Sequence, residues 1–154
     1  MVLSTTHRII RNRDFLIITS IPEISTDIVV IEYTPCKIDT GKYKFSFSVE
    51  PKPSHIPTDN NTACVDMKQV RFPLILRKWK TGDYFYPLGM GMKKKKISRY
   101  LVDSKIALHD KENVWVLESD KRIVWLTGMR LDDRFKVKDS TEEVLLVTIK
   151  NEVA

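Results

Sequence analysis

Residues 42–49, KYKFSFSV, alternate without a break: Tyr43, Phe45, Phe47 and Val49 share one parity, and Lys44, Ser46 and Ser48 the other. A period of two over eight residues gives a helix no coherent apolar face. It gives a strand one dry side and one wet side. The rest of the chain offers few competing patterns. Short apolar, β-branched runs at 14–20 (DFLIITS), 27–34 (DIVVIEYT), 62–66, 72–79 (FPLILRKW), 113–119 (NVWVLES), 122–127 (RIVWLT), 135–137 and 144–149 (VLLVTI) are all strand-sized. Asp120-Lys121 between two of them predicts a hairpin. One helix is predicted, over 97–104, with Ser98 as N-cap, an Ile97–Val102 staple, and an apolar stripe of Ile97, Tyr100 and Leu101. The fold class is therefore α+β and β-rich, with many short strands and one short helix. Residues 50–61, with three prolines and Asn60-Asn61, read as an exposed connection. That connection divides the chain into a β-rich N-terminal subdomain with its connector (1–61) and a second unit (62–154).

With 42% hydrophobic residues in 154, a proper core is available. No apolar run approaches the roughly 18 residues of a membrane helix, and the first residues, MVLSTTHRIIRNRD, lack the apolar core of a signal peptide. Cys36 and Cys64 follow no metal-ligand spacing and the three histidines lie far apart, so no metal is expected, and two unpatterned thiols suit a reducing, cytoplasmic compartment. His109 beside Asp110 has no accompanying nucleophile, and neither GxxxxGK[ST] nor GxGxxG occurs. No catalytic or cofactor-binding residue is expected.

The charge is concentrated. Residues 77–105 carry nine Lys or Arg against Asp83 and Asp103, a net of +7, while the other 125 residues net −1. One basic segment on a neutral background marks a polyanion-facing surface rather than general solubility. The candidate contacts are Arg77, Lys80, Lys93, Lys94, Lys95, Lys96, Arg99 and Lys105. The bland reading of the lysine run is a solvated loop or a localisation signal. No neighbouring acid is expected to neutralise it. Gly82, Asp83, Gly89, Gly91 and Ser98 are the residues expected to shape the loop and the helix start; Asp83 either pairs with Arg77 or Lys80, or closes an Asx turn. Among the flanking aromatics, Trp79 and Phe85 fit the core better than a base-stacking role, and Trp115 and Trp125 belong to apolar strands.

Taken together, FPLILRKWKTGDYFYPLGM, the lysine run, ISRYLVDSKI, and NVWVLESDKRIVWLTGMRLDDRF resemble the C-terminal domain of the tRNA(Ile)-lysidine synthetase family. The pattern is an Arg, a Gly-Asp, Pro-x-Gly, lysines, a Leu-Ser helix start, Lys-Ile, and a Trp-containing hairpin ending in Gly-x-Arg. Here it falls on Arg77, Gly82-Asp83, Pro87 and Gly89, Lys93 to Lys96, Ile97-Ser98, Lys105-Ile106, and Gly128 with Arg130. The resemblance covers roughly residues 62–148. It departs at Ile97-Ser98-Arg99, where Leu-Ser-Asp is common, and at Ala107, where a proline often stands.

The resemblance implies a β-sandwich-like module of the kind also found in the phenylalanyl-tRNA synthetase β subunit. It implies a partner, the acceptor region of a minor isoleucine tRNA, and a catalytic domain in cis. The family's ligase chemistry, in which ATP activates the wobble cytidine and lysine displaces AMP, resides in a domain carrying a Ser-Gly-Gly-x-Asp-Ser loop. This chain has no Gly-Gly, so ATP and lysine are expected to be handled elsewhere and this chain to be inactive alone. The rival expectation is a non-catalytic docking module whose basic face meets an acidic partner or its own catalytic domain.

Overall fold

In the strand β3 (Tyr43–Pro51) the alternation has its expected consequence: Phe45 and Phe47 are buried and Lys44 is exposed. A computed structural model describes residues 28–151; the strand expected at 14–20 lies outside the described residues. The other strands are β1 (Ile28–Ile31), β2 (Cys36–Asp39), β4 (Thr62–Asp66), β5 (Leu74–Lys78), β6 (Tyr84–Phe85), β7 (Lys95–Lys96), β8 (Trp115–Ser119), β9 (Arg122–Leu126), β10 (Arg130–Leu131) and β11 (Glu143–Asn151). The helices are α1 (Ile97–Asp103) and the single turn α2 (Leu108–Lys111).

The strands form two main antiparallel sheets, β1-β5-β8-β9-β10 and β2-β3-β11-β4, with β6-β7 as a separate pair. Strands from both sides of the 61/62 division are hydrogen-bonded in the same sheets, β1 with β5 and β3 with β11. The main core lies between the sheets: Leu74, Leu76, Trp115, Leu117 and Trp125 from one meet Phe45, Phe47, Val65, Leu145 and Val147 from the other. A second cluster covers the opposite face of the first sheet, where Phe85, Ile97, Tyr100 and Leu101 pack on Val116, Ile123 and Leu126. This second cluster fixes β6, β7 and α1 in place. Cys36 and Cys64 sit on β2 and β4, with two strands between them, a separation of about 14 Å at the usual strand spacing. That is beyond disulfide reach. Burial pushes the Cys36 thiol up to about 11.

Three local expectations need correction. Residues 133–135 form a 3-10 turn rather than part of a strand, with Asp132 accepting from the Arg134 amide, so Phe135 enters the core from a turn. Ser98 is not the N-cap: α1 starts at Ile97, the cap is Lys96, two residues before Ser98 and without a side-chain hydrogen bond, and the amide of Ile97 donates to the Asp83 carbonyl at 2.9 Å. The staple fails for the same reason. Ile97 is already inside the helix and buried, and Val102 faces solvent at 53% exposure. The Ile97, Tyr100 and Leu101 stripe is buried as expected.

The β8–β9 turn places two non-glycine residues at positive φ, Asp120 at 50° and Lys121 at 66°. Two such residues in succession are the requirement of a type I′ turn, which Asn-Gly meets with least strain. The double variant Asp120→Asn, Lys121→Gly is expected to gain about 0.5–1 kcal/mol, the relieved left-handed strain net of glycine's entropy. A higher denaturant midpoint is the readout.

Candidate nucleic-acid interface

Period two decides the fate of Arg77. Leu74 and Leu76 point into the main core, so Arg77 projects to the opposite face, where β6, β7 and α1 lie. Its Nη1 and Nη2 grip Asp83 Oδ2 and Oδ1, both at 2.9 Å, its Nε donates to Glu118 Oε1 at 2.8 Å, and Nη1 also donates to the Lys78 carbonyl. The three side chains are 8–16% exposed. Burial lowers the Arg77 pKa; hydrogen bonds to Asp83 and Glu118 outweigh it and leave the pKa raised. Arg77, expected at the RNA surface, is thus an internal strut with its fork committed to acids.

Asp83 takes the ion-pairing role rather than the Asx turn, since its side chain accepts from an amide three residues back and not from one two residues on. It pairs with Arg77, and its Oδ2 accepts from the Lys80 amide at 2.8 Å while its own amide donates to the Lys80 carbonyl. Gly82, at φ +100°, supplies the bend. Because the Asp83 carbonyl also caps α1, one residue connects β5, the turn and the helix start.

The lysine run is not one uniform cluster. In the β6–β7 pair, Tyr84 lies opposite Lys96 and Phe85 opposite Lys95. The Phe85 side turns inward: Phe85 is fully buried against Tyr100, with ring centroids 5.3 Å apart, and Lys95 follows it. The Lys95 ammonium lies 5.9 Å from the Tyr100 ring centre and bonds Asp103 at 2.7 Å. The Tyr84 side turns outward, with Lys94 over the Tyr84 ring at 4.2 Å and Lys96 exposed. Lys93, Lys80 and Lys105 are exposed, and Arg99 is 73% exposed. The expectation that no acid tempers this run is corrected by Asp103, which reaches both Lys95 and, at 3.6 Å, Arg99. The Arg99–Asp103 spacing of four residues on a helix is a signal present in the sequence.

A second network anchors the glycine loop. Asp132, fully buried, accepts from the Tyr86 amide at 3.0 Å and from Arg134 Nε and Nη2 at 3.0 and 2.9 Å. The Arg134 guanidinium also stacks over Tyr86 at 4.4 Å. Leu88 is held on both sides, its amide donating to the Leu131 carbonyl and its carbonyl accepting from Arg130 Nη1. Gly89 and Gly91 both take positive φ beyond this anchor. Asp132 and Arg134 carry no charge-pattern signal in the sequence, and Arg130 enters it only as the end of the Gly-x-Arg element. Trp79 and Phe85 pack in the second cluster as expected, with Trp79 Nε1 donating to the Lys111 carbonyl. No described helix is long and apolar enough to cross a membrane, and no three His, Cys, Asp or Glu side chains among the described residues group as metal ligands.

No protein-family model matches the chain. It is 39% identical over 147 residues to a tRNA(Ile)-lysidine synthase of Parabacteroides distasonis, covering 94% of this chain and 33% of that protein. It is 44% identical over 94 residues to the tRNA(Ile)-lysidine synthase of Bacteroides thetaiotaomicron, covering 61% of this chain and 22% of that protein. The chain thus spans a third or less of the length of these relatives. Its fold superposes on a crystal structure of the TILS C-terminal domain with a TM-score of 0.70 at 18% identity, over 82% of this chain and 99% of that one. The chain therefore belongs to the tRNA(Ile)-lysidine synthase family and has the fold of its C-terminal domain.

Proposed function

We propose that this domain grips tRNA for a lysidine-forming enzyme whose ATP- and lysine-dependent chemistry lies in a domain outside this chain. The supporting observation is the outward side of the β6–β7 pair. Lys94 and Lys96 flank a half-exposed Tyr84 there, in a segment whose Lys80, Lys93, Arg99 and Lys105 also reach solvent. Duplex RNA presents phosphates and 2′-hydroxyls across a shallow minor groove and hides its bases in a narrow major groove. Exposed ammonium groups on a short, well-packed hairpin suit that backbone. The tRNA acceptor stem is the duplex we assign to this face. Phosphate contacts set its register, and any discrimination comes from contacts to its end.

The test is tRNA affinity against salt. The variant Lys80→Ala, Lys93→Ala, Lys94→Ala, Lys96→Ala is expected to flatten the slope of log K on log salt by about 3–4. At physiological salt it should bind on the order of a hundredfold to a thousandfold more weakly. An unchanged slope removes these lysines from the interface. Equal wild-type affinity for tRNA and unrelated polyanions favours a docking module instead.

A further inference from the structure

Among the described residues, Asp103 is the acid that meets two cations of the basic segment, Lys95 and Arg99. It ends α1, where a carboxylate gains nothing from the helix dipole. What holds it is a pair of cations, each addressing a different oxygen: Lys95 Nζ lies 2.7 Å from Oδ2 and Arg99 Nε 3.6 Å from Oδ1. The Lys95 hydrogen bond keeps the Asp103 carboxyl below its ordinary range. Two cations on two oxygens of one anion is also the arrangement that takes two non-bridging oxygens of a phosphodiester.

The supporting framework is fixed. Lys95 lies in β7, opposite the buried Phe85, and its ammonium sits beside Tyr100. Arg99 projects from a helix whose Ile97, Tyr100 and Leu101 are buried. The carboxylate has room to leave, with the Asp103 side chain 46% exposed. An incoming phosphate therefore needs no backbone movement, only a rotation of Asp103 into solvent.

We propose that Lys95 and Arg99 form a phosphodiester-binding pocket that Asp103 fills in the free protein, so that RNA backbone and carboxylate compete for the same two cations. The proposal rests on the reading that this face binds RNA. Its consequence is restraint: part of the Coulombic gain from RNA replaces an interaction already made, so Asp103 lowers affinity for every duplex alike.

The experiment measures a short RNA duplex of unrelated sequence, across a salt series, against wild type, Asp103→Asn, Lys95→Ala/Arg99→Ala, and the triple variant. Asp103→Asn is expected to bind about fivefold tighter at physiological salt, with a slope steeper by about one. In the background lacking both cations the same substitution is expected to change neither quantity. Equal or weaker binding by Asp103→Asn overturns the proposal, because the carboxylate then orients Lys95 rather than competing for it. A gain that survives in the triple variant also overturns it, because it reports net charge alone. Absence of any salt-dependent binding by wild type is a different failure. It removes the RNA-binding reading of the whole face, and the pocket with it.

Discussion

Arg77→Ala is expected to lower the free energy of unfolding by about 3–5 kcal/mol, the usual cost of removing one member of a buried ion pair. The reason is the residue left behind. Asp83 and Glu118 are 8% and 16% exposed, and without the guanidinium two carboxylates face each other in a poorly solvated layer. Against a typical stability of about 5–15 kcal/mol this is a large fraction. Arg77→Lys is expected to recover less than half of the loss. One ammonium cannot span both Asp83 oxygens and Glu118 as the fork does. Denaturant unfolding of the three proteins reads this directly. If Arg77 instead served RNA, Arg77→Ala would leave the midpoint unchanged and flatten the salt slope of tRNA binding.

Asp132→Ala is expected to cost a similar amount, about 3–5 kcal/mol, through a different wound. The fully buried carboxylate satisfies the amides of Tyr86 and Arg134 and neutralises the Arg134 guanidinium. Its removal strands two backbone donors and one charge together. The local consequence is distinct from that of Arg77. Amide exchange should accelerate first at Tyr86 and Leu88, where the glycine loop joins the 130–134 segment, and spare β3 and β11. Uniform acceleration across both sheets would show that Asp132 supports the whole fold rather than this anchor.

Much of the fold could be read in advance where a local pattern and its burial share one cause. The alternation of 43–49, the Asp120-Lys121 hairpin and the Ile97, Tyr100, Leu101 stripe each specify which side of an element is apolar, and each side found a core. The readings failed where an element is too short to have a period of its own. β6, β7 and β10 are two residues each, and a lysine pair does not resemble a strand until Tyr84 and Phe85 are beside it. The start of the helix at residue 97 holds, but its cap does not fall on Ser98, because the Ile97 amide is met by a carbonyl from Asp83, fourteen positions earlier, a partner that side-chain capping preferences cannot reveal.

Charge showed the same division. Composition and local pattern suffice to concentrate the net charge between residues 77 and 105 and to make the surrounding chain β-rich. Which cations meet solvent was decided only by tertiary structure. Arg77 lies on the face of β5 that α1 and the β6–β7 pair cover, so its charge is matched by Asp83 and Glu118 inside. Lys95 lies on the Phe85 side of its strand pair and meets Asp103, while Lys94 and Lys96 lie on the Tyr84 side and reach water. Successive residues of a strand point to opposite faces, but which face is dry depends on what packs there, and that is set by contacts far apart in the chain.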